Sequence, residues 1–286
     1  MYLAFGGCGI KAISYIGCIK ALEKFIKKDD IEGCIGCSSG SLSSLLYILG
    51  YNSSELWEIM SKIDIMEYTD DKFERLFNQW GLDDGSRIIR LFSAICKQKC
   101  PEIDTLTFND LYKKSGKELV IVGSNITESR VEYFNHKNTP DMLILKALRI
   151  SISIPYKFVP VKWEGSIYVD GAVYNTYPVN YYIDQGKDVL GFLINDIGKL
   201  EPIQNLVQYT IGMLISIEHM LIKNNIKINS ENTVYIKSKI SSISFSLSVD
   251  QKKKLWKNGY LNTVEYFYKK KKRNELLKKV FQVIKQ

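Results

Sequence analysis

The chain has 286 residues, of which 45% are hydrophobic and 24% are charged, a composition typical of folded globular proteins rather than disordered ones. Its net charge of +8 is concentrated in residues 251–286, which hold 12 Lys or Arg and 2 acidic residues (+10), so the first 250 residues sum to −2. Because the positive charge is confined to one end, the composition argues against a protein built around nucleic acid.

The first 50 residues alternate between short apolar runs and segments with a helical apolar face. Tyr2–Phe5 and Ile31–Ile35 are predicted strands, and Lys11–Ile26 and Ser39–Leu49 are predicted helices. This alternation begins a parallel sheet that is covered by helices. We therefore predict an α/β fold in three layers, with helices flanking a mainly parallel central sheet.

The rest of the chain continues without a linker or a repeat. Residues 53–115 are predicted to be helical with turns at Gly81 and Gly85, and Ser151–Asp170 is predicted to be extended. The other predicted strands are Leu119–Gly123, Val131–Phe134, Val189–Ile194 and Val234–Ile236, and the other predicted helices are Asp141–Ile150, Pro202–Lys223 and a basic segment over about 249–286. We predict a single domain over residues 1–286.

The N-terminus and the cysteines bear on the cellular compartment. The sequence contains neither a secretory signal nor an uncharged apolar stretch of about 18 residues, so we expect a cytoplasmic protein, or one that attaches peripherally to membranes. Cys34 with Cys37 and Cys96 with Cys100 have the spacing of a zinc or redox site. We favour small buried apolar residues in a reducing compartment, and we expect no metal ion and no organic cofactor.

A serine motif lies between the second strand and the second helix. Residues 36–40 match G-x-S-x-G, in which a sharp strand-to-helix turn projects the central serine, here Ser38, above the sheet edge. The helix N-terminus supplies unpaired N–H groups beside it. The alternative is a tight turn in which Ser38 only caps the helix.

A glycine cluster occupies the turn after the first strand. Gly6, Gly7 and Gly9 favour a cradle of backbone N–H groups for a reacting oxyanion. Gly7, Gly9 and Ala12 also fit the dinucleotide fingerprint G-x-G-x-x-A, which requires an acidic residue at the end of the second strand. Asp29 and Asp30 precede that strand instead, so we favour the oxyanion interpretation.

A serine nucleophile needs a base, and the chain has only two histidines. His136 lies in a polar turn and His219 lies within a helical segment, and nothing in the sequence around either would orient it toward a strand end. Asp170 follows an apolar strand and precedes Gly171, so it is the favoured base, although Asp-Gly is more often a simple turn.

Four ordered motifs together resemble the patatin-like phospholipases. They are Gly7 to Ala12, Gly36 to Gly40, Ser151 to Pro155 with Phe158 to Val161, and Asp170 to Ala172 with Asn175, Pro178 and Val179. They cover nearly the whole chain, and Gly259 and Tyr260 near its end are also similar. Cys8 and Ala12 depart from the family pattern G-G-G-x-[RK]-G.

The resemblance implies a patatin-like fold related to the α/β-hydrolases and a Ser–Asp dyad formed by Ser38 and Asp170. It places the oxyanion loop at Gly7, Cys8, Gly9 and Ile10. We expect a phospholipase A-like lipid acyl hydrolase acting on phospholipid or other acyl esters; the alternative is a lipid-binding protein with impaired catalysis, which Cys8 leaves open. Four aromatic residues are predicted to border an acyl groove: Trp57, Phe73, Phe77 and Phe158.

Five adjacent cations, Lys269 to Arg273, lie among apolar residues at helical spacing. This pattern is typical of a terminal helix packed on the core with solvated lysines. The same cluster would attract an anionic bilayer, with about 1 kcal/mol per cation near the surface. An anionic membrane is therefore a predicted partner, and nucleic acid is not.

Overall fold

The structure, a computed structural model, describes residues 1–196, 230–238, 240 and 246–284, with single positions between 203 and 220. Short buried runs form its strands, which are β1 Tyr2–Phe5, β2 Gly33–Cys37, β3 Gly81–Asp83, β4 Glu118–Asn125, β5 Arg130–Phe134, β6 Tyr156–Phe158, β7 Val161–Trp163, β8 Ser166–Asp170, β9 Val189–Asp196 and β10 Thr233–Ser238. The helices with described bounds are α1 Ile13–Phe25, α2 Ser39–Ile48, α3 Ser53–Met60, α4 Phe73–Gln79, α5 Ser86–Lys97, α6 Phe108–Ser115, α7 Ile144–Ser151, α8 Ala172–Asn175, α9 Asn180–Ile183 and α10 Val249–Ile284.

The described strands form an eight-stranded mixed sheet and one separate pair. The main order is β10-β9-β1-β2-β4-β8-β7, with β5 also paired to β4, while β3 pairs with β6. The five strands from β10 to β4 are parallel, and β5, β7 and β8 are antiparallel to their neighbours. The predicted mainly parallel sheet flanked by helices is confirmed.

Successive side chains of the parallel strands point to opposite faces of the sheet, and both faces are buried. Leu3 and Phe5 face a large core that α1, α2, α5 and α7 complete, whereas Ala4 faces the opposite side. On that second side, Tyr177 and Tyr182, from the segment that contains α8 and α9, are fully buried against the strands. Helices therefore cover both faces, which gives the three layers of an α/β fold.

The C-terminal helix α10 crosses α1 at two glycines. A Cβ at Gly17 would lie 2.0 Å from the Trp256 carbonyl oxygen, and one at Gly259 would lie 1.9 Å from the Ser14 carbonyl oxygen. Only glycine permits this approach of the two backbones. Further along, Phe25 stacks on Phe267, so α1 and α10 run in the same direction.

One predicted stretch differs from the structure, and another cannot be compared with it. The predicted helical stretch 53–115 is wrong at Gly81–Asp83, because β3 pairs there with Tyr156–Phe158, a partner far away in sequence. The predicted helix Pro202–Lys223 lies mostly outside the described residues. The single-domain organisation stays a prediction.

Candidate active site

Ser38 occupies a strained turn between β2 and α2. Its backbone has φ of 52° and ψ of −127°, a left-handed conformation that a non-glycine residue rarely adopts. The turn is so tight that it accepts only glycine at positions 36 and 40. A Cβ at Gly36 would lie 2.3 Å from the Gly40 carbonyl oxygen, and a Cβ at Gly40 would lie 2.3 Å from the Phe5 carbonyl oxygen. Strain of this kind is characteristic of active sites, where the surrounding packing maintains it.

The register of β4 brings Asp170 to Ser38. On one edge of β4, Cys37 at the end of β2 pairs with Val122, and Asp170 of β8 pairs with the next residue, Gly123. Both strands lie on the same edge, because β5 occupies the opposite edge over residues 121–125. The C-terminal end of β8 therefore meets the C-terminal end of β2, and the two side chains come together at that junction.

Ser38 and Asp170 are joined by a direct hydrogen bond. The Ser38 Oγ donates to Asp170 Oδ2 over 2.7 Å, and the two residues are only 7% and 2% exposed. The other carboxylate oxygen, Oδ1, accepts the Ala172 backbone N–H at 2.9 Å and lies 3.9 Å from the Cys37 Sγ. These contacts leave Oδ2 directed at the serine.

Residues 151–153 hold both members of this pair. The Ser38 N–H donates to Ser151 Oγ over 2.9 Å, and the Asp170 N–H donates to the Ser153 carbonyl oxygen over 2.9 Å. The roles of Ser151 and Ser153 were not predicted, although the third sequence motif contains both residues.

Arg149 supports this segment from one helical turn earlier. Its guanidinium donates to the Ser153 Oγ, to the Val159 carbonyl oxygen at 2.7 Å and to the Asp84 carbonyl oxygen at 3.0 Å. Burial lowers its pKa to about 10, so the group still carries its charge at neutral pH. The arginine thus ties Ser153, whose carbonyl oxygen accepts the Asp170 N–H, to the loop before α5.

The glycine loop is fixed at its beginning. Gly6 donates to the Phe192 carbonyl oxygen and Gly7 donates to the Thr176 carbonyl oxygen at 2.8 Å, while the buried Tyr15 hydroxyl donates to the Gly6 carbonyl oxygen. The Gly7 N–H is therefore engaged within the protein. A Cβ at Gly7 would lie 3.3 Å from the Ser38 Cβ, which shows how closely the loop approaches the serine.

The second half of the loop opens a 3-10 turn at Gly9–Ala12. The Cys8 N–H donates to Ser39 Oγ over a long 3.3 Å. Gly9 has a left-handed φ of 56°, and it is followed by Ile10 at the start of the turn. The first N–H groups of a helical turn have no acceptor within it, so those of Gly9 and Ile10 are the natural donors to a ligand.

The described histidine lies at the other end of the sheet. His136 stacks on Tyr112, and its Nδ1 is 3.9 Å from Glu118, the first residue of β4, whereas Asp170 pairs near the end of β4. Burial lowers the pKa of His136, which favours the neutral ring. It has no contact with Ser38, as the sequence predicted, while His219 lies outside the described residues.

A cavity of about 310 Å³ adjoins the Ser38–Asp170 pair. Apart from the pair and the glycine loop, most of its lining is aliphatic, from residues that include Ile13, Ile16, Ile19, Leu42, Leu46, Leu56, Met60, Ile88 and Ile152. Of the four aromatic residues predicted to border a groove, only Phe158 lines it.

The other three aromatic residues do not line the cavity. Trp57 packs on Trp256, with 6.1 Å between ring centroids, and Phe73 and Phe77 are mainly exposed on α4.

The described cysteines are free thiols, and all except Cys8 are buried. Burial raises the pKa of Cys18 and Cys96 to about 12, so these thiols stay protonated. Among the described residues, no group of three or more His, Cys, Asp or Glu is arranged to hold a metal ion. The described helices also include none with the length and apolar character needed to cross a bilayer.

Comparison with known proteins finds relatives that match most of the chain. The chain is 28% identical to the uncharacterized protein R571 of Acanthamoeba polyphaga mimivirus, covering 90% of each chain. It is 31% identical to the probable lipid hydrolase 463L of Invertebrate iridescent virus 6 over 63% of this chain and 62% of that one.

Solved structures show the same fold. VipD of Legionella pneumophila superposes with a TM-score of 0.69 at 15% identity, covering 93% of this chain and 66% of that one. The family model of the patatin-like phospholipases matches residues 3–183, which include the serine turn, the glycine loop and Asp170. This chain therefore belongs to the patatin-like phospholipase family.

Proposed function

We propose that this protein hydrolyses lipid acyl esters, with Ser38 as nucleophile and Asp170 as its base. The 2.7 Å hydrogen bond from Ser38 Oγ to Asp170 Oδ2 beside a mainly apolar cavity is the observation that carries the proposal. Family membership and the similarity to a probable viral lipid hydrolase support lipid hydrolase activity. A nucleophile that is hydrogen-bonded directly to its base is the arrangement expected for acyl transfer through a serine.

The proposed reaction has two acyl-transfer steps. Asp170 accepts the Ser38 proton as Oγ attacks the ester carbonyl carbon, and the resulting tetrahedral intermediate expels the alcohol, which takes that proton. Water then attacks the acyl-Ser38 ester while Asp170 accepts a proton from it. Collapse of the second intermediate releases the fatty acid and returns the proton to Ser38.

The oxyanion of both intermediates would be held by the glycine loop. Because the Gly7 N–H bonds Thr176, the proposal places the donors at Gly9 and Ile10, with Cys8 contributing once it leaves Ser39. Prearranged N–H groups of this kind are usually the largest single contribution to such a reaction. The acyl chain would occupy the aliphatic cavity, which adjoins the same loop.

Product analysis tests the proposal. We would incubate the pure protein with a panel of phospholipids and triglycerides, and identify products by mass spectrometry. Release of free fatty acid with the matching lysophospholipid or diglyceride is expected. The long Cys8 to Ser39 hydrogen bond favours one rival, a lipid-binding protein with impaired catalysis; binding of these lipids without any product would select that rival.

His136→Ala is expected to keep most of the activity. The ring stacks on Tyr112 of α6 and lies beside Glu118 at the start of β4, so it has no route to the Ser38 proton. Turnover of a soluble short-chain ester measures this directly, and His219→Ala is expected to behave in the same way. If either variant were as inactive as Ser38→Ala, a conventional triad would replace the dyad.

We also propose that the basic cluster Lys269 to Arg273 attracts anionic membranes. Lys270, Lys271 and Lys272 are exposed, whereas Lys269 pairs with Glu265 and Arg273 pairs with Glu231. Substitution of all five by Gln is expected to weaken binding to phosphatidylserine vesicles at least about tenfold at low salt. High salt should remove most of the difference, because exposed charges are screened within about 10 Å.

Turnover of a soluble short-chain ester should stay unchanged in that variant. The glycine loop precedes the N-terminus of α1, whereas the cluster follows Phe267, which stacks on Phe25 at the C-terminus of α1. Vesicle co-sedimentation is the measurement. Equal sedimentation of variant and parent at low salt would remove the docking role of the cluster.

A further inference from the structure

Four exposed aromatic side chains lie on neighbouring elements beside the cavity. Phe73 and Phe77 of α4 are 68% and 71% exposed, and Trp80 and Tyr156 are about half exposed. Helix α4 leads into β3, whose first residue, Gly81, pairs with Tyr156 of β6. We call these four residues the aromatic rim.

The aromatic rim is close along the chain to residues that line the cavity. Tyr156 stands between Pro155 and Lys157, which both line the cavity, and Thr69 lines it shortly before α4 begins. The rim is therefore an apolar surface at the edge of the proposed acyl site. Large exposed apolar patches next to a binding cavity commonly mark a surface that contacts another apolar phase.

Two of the four aromatic residues are held outward at a conformational cost. Trp80 has φ of 64° and Tyr156 has φ of 66°, a left-handed conformation that is unusual for bulky residues. Trp80 directly precedes β3 and Tyr156 is the first residue of β6, so the short β3–β6 pairing fixes both backbones. Strain that exposes apolar side chains, rather than burying them, indicates a functional constraint on this surface.

The basic cluster alone does not bring the cavity to a bilayer. Lys252 of α10 lines the cavity, and Lys271 lies 19 residues further along the same helix. At 1.5 Å per residue this separation is about 28 Å, close to the thickness of the hydrocarbon core of a bilayer. A second contact surface is needed next to the cavity itself.

Charge around the aromatic rim selects the kind of surface. Residues 64–84 contain seven acidic and two basic residues. Within the part of the chain that the structure describes, the cations that contact this segment from outside are Arg87, Arg149, Lys157 and Lys162. Seven acids against six bases give a net charge of −1, so an anionic surface gains no attraction here. Aromatic side chains, by contrast, favour the polar–apolar interface of any phospholipid layer.

We propose that the aromatic rim is the surface on which this protein docks onto zwitterionic phospholipid bilayers, placing the cavity mouth at the lipid headgroups. The inference rests on the proposed lipid hydrolase function and names the surface through which the substrate is reached. Docking uses apolar contact and is insensitive to salt, in contrast to the attraction of the basic cluster to anionic lipid.

The first test uses the full chain carrying Ser38→Ala, so that lipid is bound without being hydrolysed. Adding Phe73→Ser and Phe77→Ser is expected to weaken co-sedimentation with phosphatidylcholine vesicles about tenfold or more, equally at low and high salt. The matched control is Tyr268→Ser, an aromatic residue of similar exposure (62%) in the second half of α10 beside Phe25, which should leave binding unchanged.

In the background with Ser38 intact, the Phe73 and Phe77 substitutions should leave turnover of a soluble short-chain ester and the melting temperature unchanged. If the parent lacked ester turnover, the proposed function would fail while the vesicle result still stood. Equal vesicle binding by the variant with both Phe substitutions and by its parent would overturn the proposal that the aromatic rim docks onto bilayers.

A second measurement does not use the Phe73→Ser and Phe77→Ser substitutions. Bilayers of brominated phosphatidylcholine should quench the tryptophan fluorescence of the Ser38→Ala protein, and Trp80→Phe should remove most of that quenching. The other three tryptophans are less exposed than Trp80 and should contribute less, because Trp57 and Trp256 pack on each other and Trp163 packs on Phe134 and Tyr168. Quenching that is identical with and without Trp80 would contradict the proposal.

Discussion

Ser38→Ala is expected to reduce ester hydrolysis by roughly three orders of magnitude or more, because no other group replaces the nucleophile. The fold should survive, since the change removes one buried hydrogen bond and is expected to alter the free energy of unfolding by about 1 to 3 kcal/mol. Fatty-acid release from phospholipid, turnover of a soluble ester and the melting temperature measure these effects together.

The matched control for this variant is Ser44→Ala. Ser44 lies on α2, the helix that follows Ser38, and is also buried; its Oγ donates to the Gly40 carbonyl oxygen rather than to Asp170. It should keep full activity. Activity in Ser38→Ala comparable with that of Ser44→Ala would assign the nucleophile to another residue.

Asp170→Asn is the second large effect, with an expected loss of at least about a hundredfold in turnover. The amide can still accept the Ala172 N–H at the position of Oδ1, so the loop after β8 should keep its shape. It cannot accept the Ser38 proton, so the loss falls on catalysis rather than on folding. The melting temperature should not fall, because the substitution removes a buried charge.

A double variant separates a shared role from two independent ones. If Ser38 and Asp170 act as one unit, Ser38→Ala with Asp170→Asn should be no less active than Ser38→Ala alone. The control is Asp184→Asn, which changes an exposed carboxylate directly after α9 and should be fully active. Asp170→Asn with parental turnover would remove the aspartate from the reaction.

The local features of the site were predictable because they depend on short sequence. The serine turn needs glycine at 36 and 40, since backbone carbonyl oxygens occupy the space that a Cβ would fill. The apolar runs on either side of that turn predict the strand and the helix. The pattern around Asp170 likewise predicts a strand end.

The meeting of Ser38 with Asp170 is not a local property. It follows from β2 and β8 lying end to end on one edge of β4, a register set by residues far apart in the chain. Without the resemblance to a family, the sequence predicts the two ends separately and not their contact. The supporting role of Ser151 also depends on this junction.

The exposure of the aromatic residues of α4 could not be predicted for a related reason. Phe73 and Phe77 are four residues apart and contact each other, with 5.4 Å between ring centroids, which is the pattern of a buried helical face. In the structure that face turns outward, since the main chain of Lys72 is bonded to Leu82 in β3. Periodicity predicts which residues share a face, but not what the face meets.

The most direct test of the central claim is to map the adduct formed by a fluorophosphonate probe, which reacts with activated serine nucleophiles. After labelling and proteolysis, mass spectrometry should find a single adduct on the peptide containing Ser38 in the parent, strongly diminished labelling in Asp170→Asn, and none in Ser38→Ala. An adduct on another serine, or equal labelling of the parent and Asp170→Asn, would contradict the proposal that Ser38 and Asp170 form the catalytic dyad.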